Sequence, residues 1–311
     1  MASPVTSGHL LLAGLDSERD ATLIQTRAPD LWRLLRRAAH SEKISGGSSP
    51  TQTLLQLAGW PVPQTSAIAA LCALADGLDS QQGHWLLADP VQLIPDMDRV
   101  HLHIPRLSEK AQMSEGVVAL LNEESIQMHI GNSGQHYLSY KQHIDWSATA
   151  LTAAANSNLY HGMPQGEDGG YWRRLTTEIQ MQIAITQPEN SEFNAWWFWG
   201  NGVLPNLMES QNISFIGDGR LLKGIAKYLQ LTLNPALDSN FEEGNKLLIY
   251  KDLSRCILDK EKSDKLADLQ RTVLNQLYPA LKKGRVHPLE METDDGCWSI
   301  SRSDTWKFWR K

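Results

Sequence analysis

The chain has 311 residues, 41% of them apolar, and a formal net charge of −6. Its length exceeds the usual size of a single hydrophobic core, so we expect one large domain with an insertion, or two domains. The acidic balance is not that of a nucleic-acid-binding protein, which is normally basic. The longest apolar-rich run, residues 60–75, is too short to span a bilayer.

The first residues do not have the pattern of a signal peptide, because residues 14–20 already carry four charged side chains. The three cysteines, Cys72, Cys256 and Cys297, show no metal-binding spacing and are expected to be reduced thiols. We therefore expect a soluble cytoplasmic protein whose partners are neither nucleic acid nor membrane.

The first 82 residues predict one strand and three helices. Residues 9–15 have the pattern of a short buried strand. Residues 29–39 predict an amphipathic helix, with leucines on one face and arginines on the other. Two more helices are predicted over 53–59 and 66–74, after a loop rich in Gly and Ser.

The next block, residues 83–166, is rich in predicted strands. Strands are predicted over 84–88, 99–103, 126–130 and 136–140, and a helix over 108–122. Turns are expected at Asp89-Pro90 and at residues 95–98. We interpret the block as a small α+β subdomain inserted into a core made of residues 1–82 and 167–311.

The run from Phe193 to Trp199 is aromatic at five of seven positions and shows no polar alternation. Such a run predicts a strand buried on both faces, as in the centre of a parallel sheet. It ends at Gly200-Asn201-Gly202, and ligands of open α/β sheets bind where strands end. We therefore expect Gly200, Asn201 and Gly202 to line a ligand site.

The rest of the chain alternates helices with strands. Strands are predicted over 213–216, 246–250, 286–291 and 297–300, and helical faces over 172–183, 221–229 and 263–281, the last capped by Ser263. This alternation predicts parallel βαβ units and an α/β fold. Gly217-Asp218-Gly219 is either a phosphate-binding turn or a turn in which Asp218 caps the next helix. We place Asp218 in the expected ligand site.

One set of residues has the side chains of a metal site. His101 and His103 share a strand face, and Asp89, Asp96 and Asp98 are close in sequence. They could bind a divalent metal, or the carboxylates could shape turns while the histidines line a polar face.

Two other segments also allow two interpretations. The cluster of Ser48, Ser49, Thr51 and Thr53 at a helix start could supply a nucleophile or cap the helix. The aromatic and basic residues 306–311 could stack on a partner, but a docked terminal helix that buries its tryptophans is the simpler expectation.

Taken in order, these segments resemble the archaeal-type cofactor-independent phosphoglycerate mutases of the alkaline phosphatase superfamily. Residues 53–60 resemble the family's A-H-L-x-L-L-G-Y, residues 193–202 its P-x-N-x-x-x-x-R-G-A-G, and residues 213–229 match it best. Residues 88–91 and 172–180 are similar to a bacterial subset known as Rpf-type regulatory proteins or phosphoglycerate mutases. The resemblance implies an alkaline-phosphatase-like fold: a mostly parallel sheet with flanking helices and a small inserted α+β subdomain.

The departures from the family concern its chemistry. The mutases hold two metal ions with aspartates and histidines and use a serine nucleophile. Here Gly14-Leu15-Asp16 matches the family's first metal motif only loosely. The position of the family's nucleophilic serine corresponds to the region of Pro50. Residues 251–262 contain no histidine, and the late T-x-D-H motif becomes Thr293-Asp294-Asp295-Gly296.

We therefore expect a catalytically degenerate relative of phosphoglycerate mutase, without a cofactor, that regulates or binds a small molecule or a protein. In the alternative, an active metal-dependent mutase or phosphatase would hold Mn or Zn with Asp16, Asp218, Asp295 and histidines contributed by the inserted block. A third hypothesis is a protein-interaction scaffold that uses its many tryptophans.

Overall fold

The computed structural model of the protein describes residues 6–42, 49–60, 67–97, 99–107, 111–142, 145–155, 159–186, 191–204, 212–238, 245–254, 256 and 259–306. The chain divides into two compact units. The first comprises Met1–Val62 and Leu207–Lys311, and the second comprises Pro63–Asn206. Within the described ranges, no helix has the length and apolar character needed to cross a membrane.

The strands are β1 (Thr6–Ala13), β2 (Ala39–Glu42), β3 (His84–Asp96), β4 (Arg99–His103), β5 (Gln127–Ile130), β6 (His136–Tyr140), β7 (Ala195–Gly202), β8 (Ile213–Gly217), β9 (Leu233–Asn234), β10 (Lys246–Asp252), β11 (Val286–Glu292) and β12 (Gly296–Ile300). The helices are α1 (Ala21–Arg27), α2 (Pro29–Arg37), α3 (Pro50–Leu57), α4 (Ile68–Ala75), α5 (Glu115–Glu123), α6 (Leu151–Ala155), α7 (Leu159–Gly162), α8 (Gly169–Thr186), α9 (Arg220–Tyr228), α10 (Asp259–Leu269) and α11 (Asn275–Lys282). A π-helical turn, Gln270–Leu274, joins α10 to α11, and a 3₁₀ helix spans Arg302–Trp306.

The first unit is built on a seven-stranded sheet in the order β2-β12-β11-β1-β10-β8-β9. The five strands from β11 to β9 are parallel, and β12 and β2 are antiparallel to their neighbours. Apolar faces of α1, α2, α10 and α11 join the sheet in one buried core. The predicted α/β structure with a mostly parallel sheet is confirmed.

Local sequence explains where several of these helices begin. Pro29 opens α2 at a position that needs no N–H donor, and Asp30 follows in its first turn. Ser49 caps α3 through a reciprocal capping box with Gln52. Ser49 is thus a cap, as one of its two predictions stated, whereas Ser48 lies outside the described residues. The last long helix starts at Asp259, so Ser263 lies inside it and is not its cap.

The second unit contains an antiparallel sheet in the order β4-β3-β6-β5, with β7 paired to β3. The aromatic strand β7 is buried as predicted, but its expected place in a parallel sheet is wrong. An unbroken apolar run predicts burial on both faces and does not specify the direction of the neighbouring strand.

Strand β3 is longer than predicted and runs through the turn expected at Asp89-Pro90. The turn expected at residues 95–98 is present, since β3 ends at Asp96, Met97 lies in a turn and β4 begins at Arg99. The carbonyl of Val91 accepts a hydrogen bond from Asn194 on the β7 side. Pro90 therefore faces the opposite edge, where the β6 pairing has ended at Ala88 and the β4 pairing begins at Gln92. No N–H donor is needed in that gap, so proline is tolerated inside the strand.

The predicted insert, residues 83–166, lies inside the second unit. That unit is wider, since Pro63–Asn206 also includes α4, α8 and β7. The helix predicted over 108–122 begins at Glu115, because Ser114 caps it by accepting a hydrogen bond from the N–H of Val117.

Candidate ligand-binding edge of the sheet

The parallel strands β11, β1, β10 and β8 all end at one edge of the first unit's sheet, called here the carboxyl edge. Because parallel strands share a direction, the segments that follow them meet there. Asp16 follows β1, Asp218 follows β8 and Asp295 follows β11. The structure thus brings all three predicted metal candidates to the same edge. The ends of β11 and β8 are nevertheless separated by two strands, which is about 14 Å at the usual strand spacing.

Asp295 ties the β1 and β11 segments together. Its carboxylate accepts hydrogen bonds from the backbone N–H of Ser17 at 2.8 Å, from the Ser17 hydroxyl, and from the Thr293 hydroxyl at 2.5 Å. Burial would raise the pKa of Asp295, but these hydrogen bonds outweigh it and lower the pKa. Asp294 accepts from the N–H of Gly14 at 3.1 Å. The two carboxylates therefore link the segment that follows β1 to the segment that follows β11.

Lys251 is a buried cation at the end of β10, with a side chain only 6% exposed. Its ammonium group lies 2.9 Å from a carboxylate oxygen of Asp218 and 2.9 Å from one of Asp268, and Asp268 also pairs with Arg271. Burial alone would lower the pKa of Lys251, but the two carboxylates outweigh it and raise the pKa. Asp218 therefore pairs with Lys251 and does not cap α9, whose N-cap residue is Gly219.

The segments after β1 and β10 touch each other through backbone. Gly14 has a φ of +79°, and a Cβ at this position would lie 2.2 Å from the backbone nitrogen of Ser254. Ser254 turns back so that its N–H and hydroxyl donate to Asp252. The carbonyl of Asp252 accepts from Lys265 at 2.8 Å. These contacts fix the centre of the carboxyl edge.

The remaining predicted ligand residues lie in the second unit. Gly200, Asn201 and Gly202 form the end of β7, where the pairing with β3 shifts register between Trp85 and Leu87. Gly200 has a φ of +71°, so the Gly-Asn-Gly segment is a β-bulge inside the strand. The Asn201 amide donates to the carbonyl of Trp146 at 2.7 Å. That these three residues bind a ligand stays a prediction.

Of the histidine and aspartate set on the β3–β4 hairpin, His101 and Asp96 are open to solvent. His101 Nε2 lies 3.6 Å from an Asp96 oxygen, and both side chains are more than half exposed. Asp89 is buried elsewhere and accepts from the Trp199 indole N–H at 2.6 Å, and Asp98 lies outside the described residues. Within the described ranges, no group of three or more His, Cys, Asp or Glu side chains is arranged to hold a metal ion.

Sequence reasoning missed the residues that complete this edge. Lys251, Asp252 and Asp268 were not predicted to belong to it, and neither were Ser17 and Asp294. The available signal was a charged residue directly after the apolar run 247–250, since a lysine that continues a buried strand needs a carboxylate partner. The partners themselves are far away in sequence and could not be identified from spacing.

No protein-family model matches this chain, and no curated protein matches its sequence. Among solved structures, the chain is similar to a cofactor-independent phosphoglycerate mutase from Thermoplasma acidophilum DSM 1728. The identity is 13% and the TM-score 0.41, with 96% of this chain and 90% of that chain covered. It is also similar to the PH0037 protein from Pyrococcus horikoshii, at 10% identity and a TM-score of 0.48, with 96% and 88% covered. Neither likeness identifies a ligand or a reaction.

Proposed function

We propose that the chain is a catalytically degenerate, phosphoglycerate-mutase-like protein that regulates or binds a ligand at the carboxyl edge without bimetal catalysis. The ligand would be a small molecule or a protein. The observation that carries this proposal is the Lys251 ammonium group, which lies within 2.9 Å of both Asp218 and Asp268. Lys251 and Arg271 already pair with these two carboxylates, so they are not a free ligand pair for Mn or Zn.

The donor set at this edge does not fit two divalent ions. Two-metal catalysis needs ions about 4 Å apart and a dense set of ligands around them. Asp295 is held by Ser17 and Thr293, and two strands, β1 and β10, separate the strand before it from the strand before Asp218. The sequences that follow the four strands, residues 14–20, 218–219, 253–254 and 293–295, contain no histidine. These facts support a binding role over phosphoryl transfer.

A cytoplasmic location is part of the proposal. Its support is that no disulfide joins Cys72, Cys256 and Cys297, as is usual in a reducing compartment.

The purified full chain, supplied with Mn²⁺ and 3-phosphoglycerate, tests the proposal. We expect no turnover, with or without chelator. Asp218→Asn and Asp295→Asn should lower the melting temperature without changing the heat of Mn²⁺ binding, whereas Asp264→Asn, on the exposed face of α10, should change neither. Turnover that a chelator abolishes and that Asp218→Asn also abolishes would show an active enzyme instead.

The scaffold hypothesis depends on exposed tryptophans. Of the ten tryptophans in the described ranges, seven are buried and two are half-buried. Trp306 is 62% exposed, so the predicted docking that buries it is wrong, and Trp309 lies outside the described residues. A general tryptophan scaffold is therefore not supported, but the surroundings of Trp306 differ from those of the others.

A further inference from the structure

Three elements of the first unit meet at the edge where its parallel strands begin, called here the amino edge. α2 leads into β2, α11 leads into β11, and the 3₁₀ helix follows β12. The strand register places the start of β11 beside Thr6 and the end of β12 beside the starts of β11 and β2. This edge is opposite the candidate ligand site, so a function here is separate from the one proposed above.

These elements concentrate positive charge in an acidic chain. Residues 29–37, 275–285 and 301–306 contain seven Lys and Arg but only two Asp, whereas the whole chain has a net charge of −6. Asp30 is paired with Arg33 at 2.7 Å, and Asp304 is buried and accepts from Ser301. We define the basic patch as Arg36, Lys282, Lys283, Arg302 and Trp306. Across the described part of the chain, its four cations have no carboxylate partner.

Aromatic rings are interleaved with these cations. The Lys282 ammonium lies 4.8 Å from the ring centroid of Tyr278 and 6.0 Å from that of Trp306. The Arg36 guanidinium lies 5.3 Å from the Trp32 ring. Cations over indole and phenol rings are held by the ring quadrupole while their outer N–H groups stay available.

The patch is fixed before any partner arrives. Arg37 donates to the Tyr278 hydroxyl at 2.7 Å and to the carbonyl of Thr305 at 2.8 Å, which joins α2, α11 and the 3₁₀ helix. Arg302 donates to the carbonyl of Lys282 at 3.1 Å. Side chains held in place in this way lose little conformational entropy on binding.

A purely local explanation is that basic residues in the last turns of α2 and α11 offset the helix dipoles. It accounts for Arg36, Arg37 and Lys282. It does not account for Arg302, which lies on another element, or for the exposed indole of Trp306. Arginine and tryptophan are the side chains that dominate protein–protein binding energies.

We propose that the basic patch binds an acidic segment of a partner protein, one that carries an apolar side chain to cover Trp306. Arg36 and Arg302 can each pair with a carboxylate through two N–H groups. The net charge of −6 would repel a long polyanion such as nucleic acid or an anionic bilayer. A short acidic segment stays within about 10 Å of the patch, where salt screens the attraction less than at longer distances.

Fluorescence anisotropy with the full chain tests this proposal. The probe is a labelled peptide of Glu and Asp with one central Phe, and a second peptide has Ser in place of Phe. Lys282→Gln/Lys283→Gln should weaken binding of both peptides by about tenfold, the loss expected for charge-assisted hydrogen bonds. Trp306→Ala should weaken binding of the Phe peptide alone, by about tenfold.

The matched control is Lys223→Gln/Lys260→Gln, which removes the same charge from two exposed sites on α9 and α10. It should leave the affinity within about twofold, because these lysines lie outside the patch. Equal weakening by this control would overturn the proposal, as would the absence of peptide binding at physiological salt. Tighter binding of oligo-dT or of phosphatidylserine vesicles than of the Phe peptide would also overturn it.

Discussion

At the scale of single residues, Lys251 links sequence to stability most directly. Its buried ammonium makes two hydrogen bonds to carboxylates that are themselves only partly buried. In Lys251→Met both bonds are lost, but water can reach Asp218, whose side chain is 53% exposed. We expect unfolding to become easier by about 1–3 kcal/mol, measured by urea denaturation. The exposed Lys260→Met is the control, and equal stability of the two variants would contradict the structural role of Lys251.

His136 should make the second unit sensitive to acid. Its ring is buried against Trp196, with centroids 4.9 Å apart, and its Nε2 has no hydrogen-bond partner among the described residues. Burial lowers the pKa of His136, although the Asp89 charge partly opposes this. A lowered pKa means that the unfolded chain takes up the proton first. The contribution of His136 to the free energy of unfolding is therefore fully present above about pH 6.5. It is lost as the pH drops below that value, by up to about 1.4 kcal/mol per pH unit.

The measurement is the melting temperature between neutral pH and pH 5. Burial also lowers the pKa values of His9 and His129. The slope of the wild-type melting temperature against pH is therefore the sum of the contributions of all three histidines. His136→Phe keeps a ring beside Trp196 and should flatten that slope, whereas His103→Asn, on the exposed face of β4, should not. An unchanged slope in His136→Phe would exclude this contribution.

At the scale of elements, sequence patterns identified most strands and helices and fewer of their partners. The strands 213–216, 246–250 and 286–291 were predicted within two residues of β8, β10 and β11, because apolar runs with turn residues around them are local signals. The direction of β7 and the continuity of β3 past Pro90 were not, since both depend on neighbouring strands. The same holds for the site: Asp16, Asp218 and Asp295 were named from the sequence as metal candidates, but the residues that pair with Asp218 and Asp295 were not identified.

Gly217, at the end of β8, and Gly200, in the bulge of β7, should differ in how much an alanine substitution lowers stability. Gly217 has a φ of +135°, and a Cβ there would lie 2.1 Å from the carbonyl oxygen of Tyr250. Gly200 also has a positive φ, but the nearest atoms to its Cβ would be 3.5 Å away. Gly217→Ala should therefore cost about 3 kcal/mol or more, and Gly200→Ala about 1–2 kcal/mol.

Chemical denaturation measures both values. The control is Gly170→Ala, because a Cβ at Gly170 would have only Arg173 within 4 Å, at 3.9 Å, and no positive φ is required. It should change stability by less than about 0.5 kcal/mol. A smaller loss for Gly217→Ala than for Gly200→Ala would contradict the close approach of β8 and β10 at the carboxyl edge.

At the scale of the whole molecule, each unit has its own sheet. One hydrophobic cluster of the first unit joins its parallel sheet to four helices, and one cluster of the second unit surrounds Trp172 and Trp196. Every pairing between named strands lies within one unit. The second unit is also a single continuous stretch of chain. It is much longer than the small domains that need disulfides or metal ions to fold.

We therefore expect residues 63–206 to fold when produced alone. The indole rings of Trp146 and Trp172 are stacked, with centroids 4.5 Å apart and planes 20° apart. Such a fixed pair should give a strong near-ultraviolet circular dichroism signal that melts cooperatively, and Trp172→Leu should remove it. A fragment without that signal, or with a gradual melt, would show that the second unit depends on the first for its packing. Cooperative melting would show that the second unit carries its own folding information, as expected for a continuous stretch of chain, whereas the first unit is assembled from two distant parts of the chain.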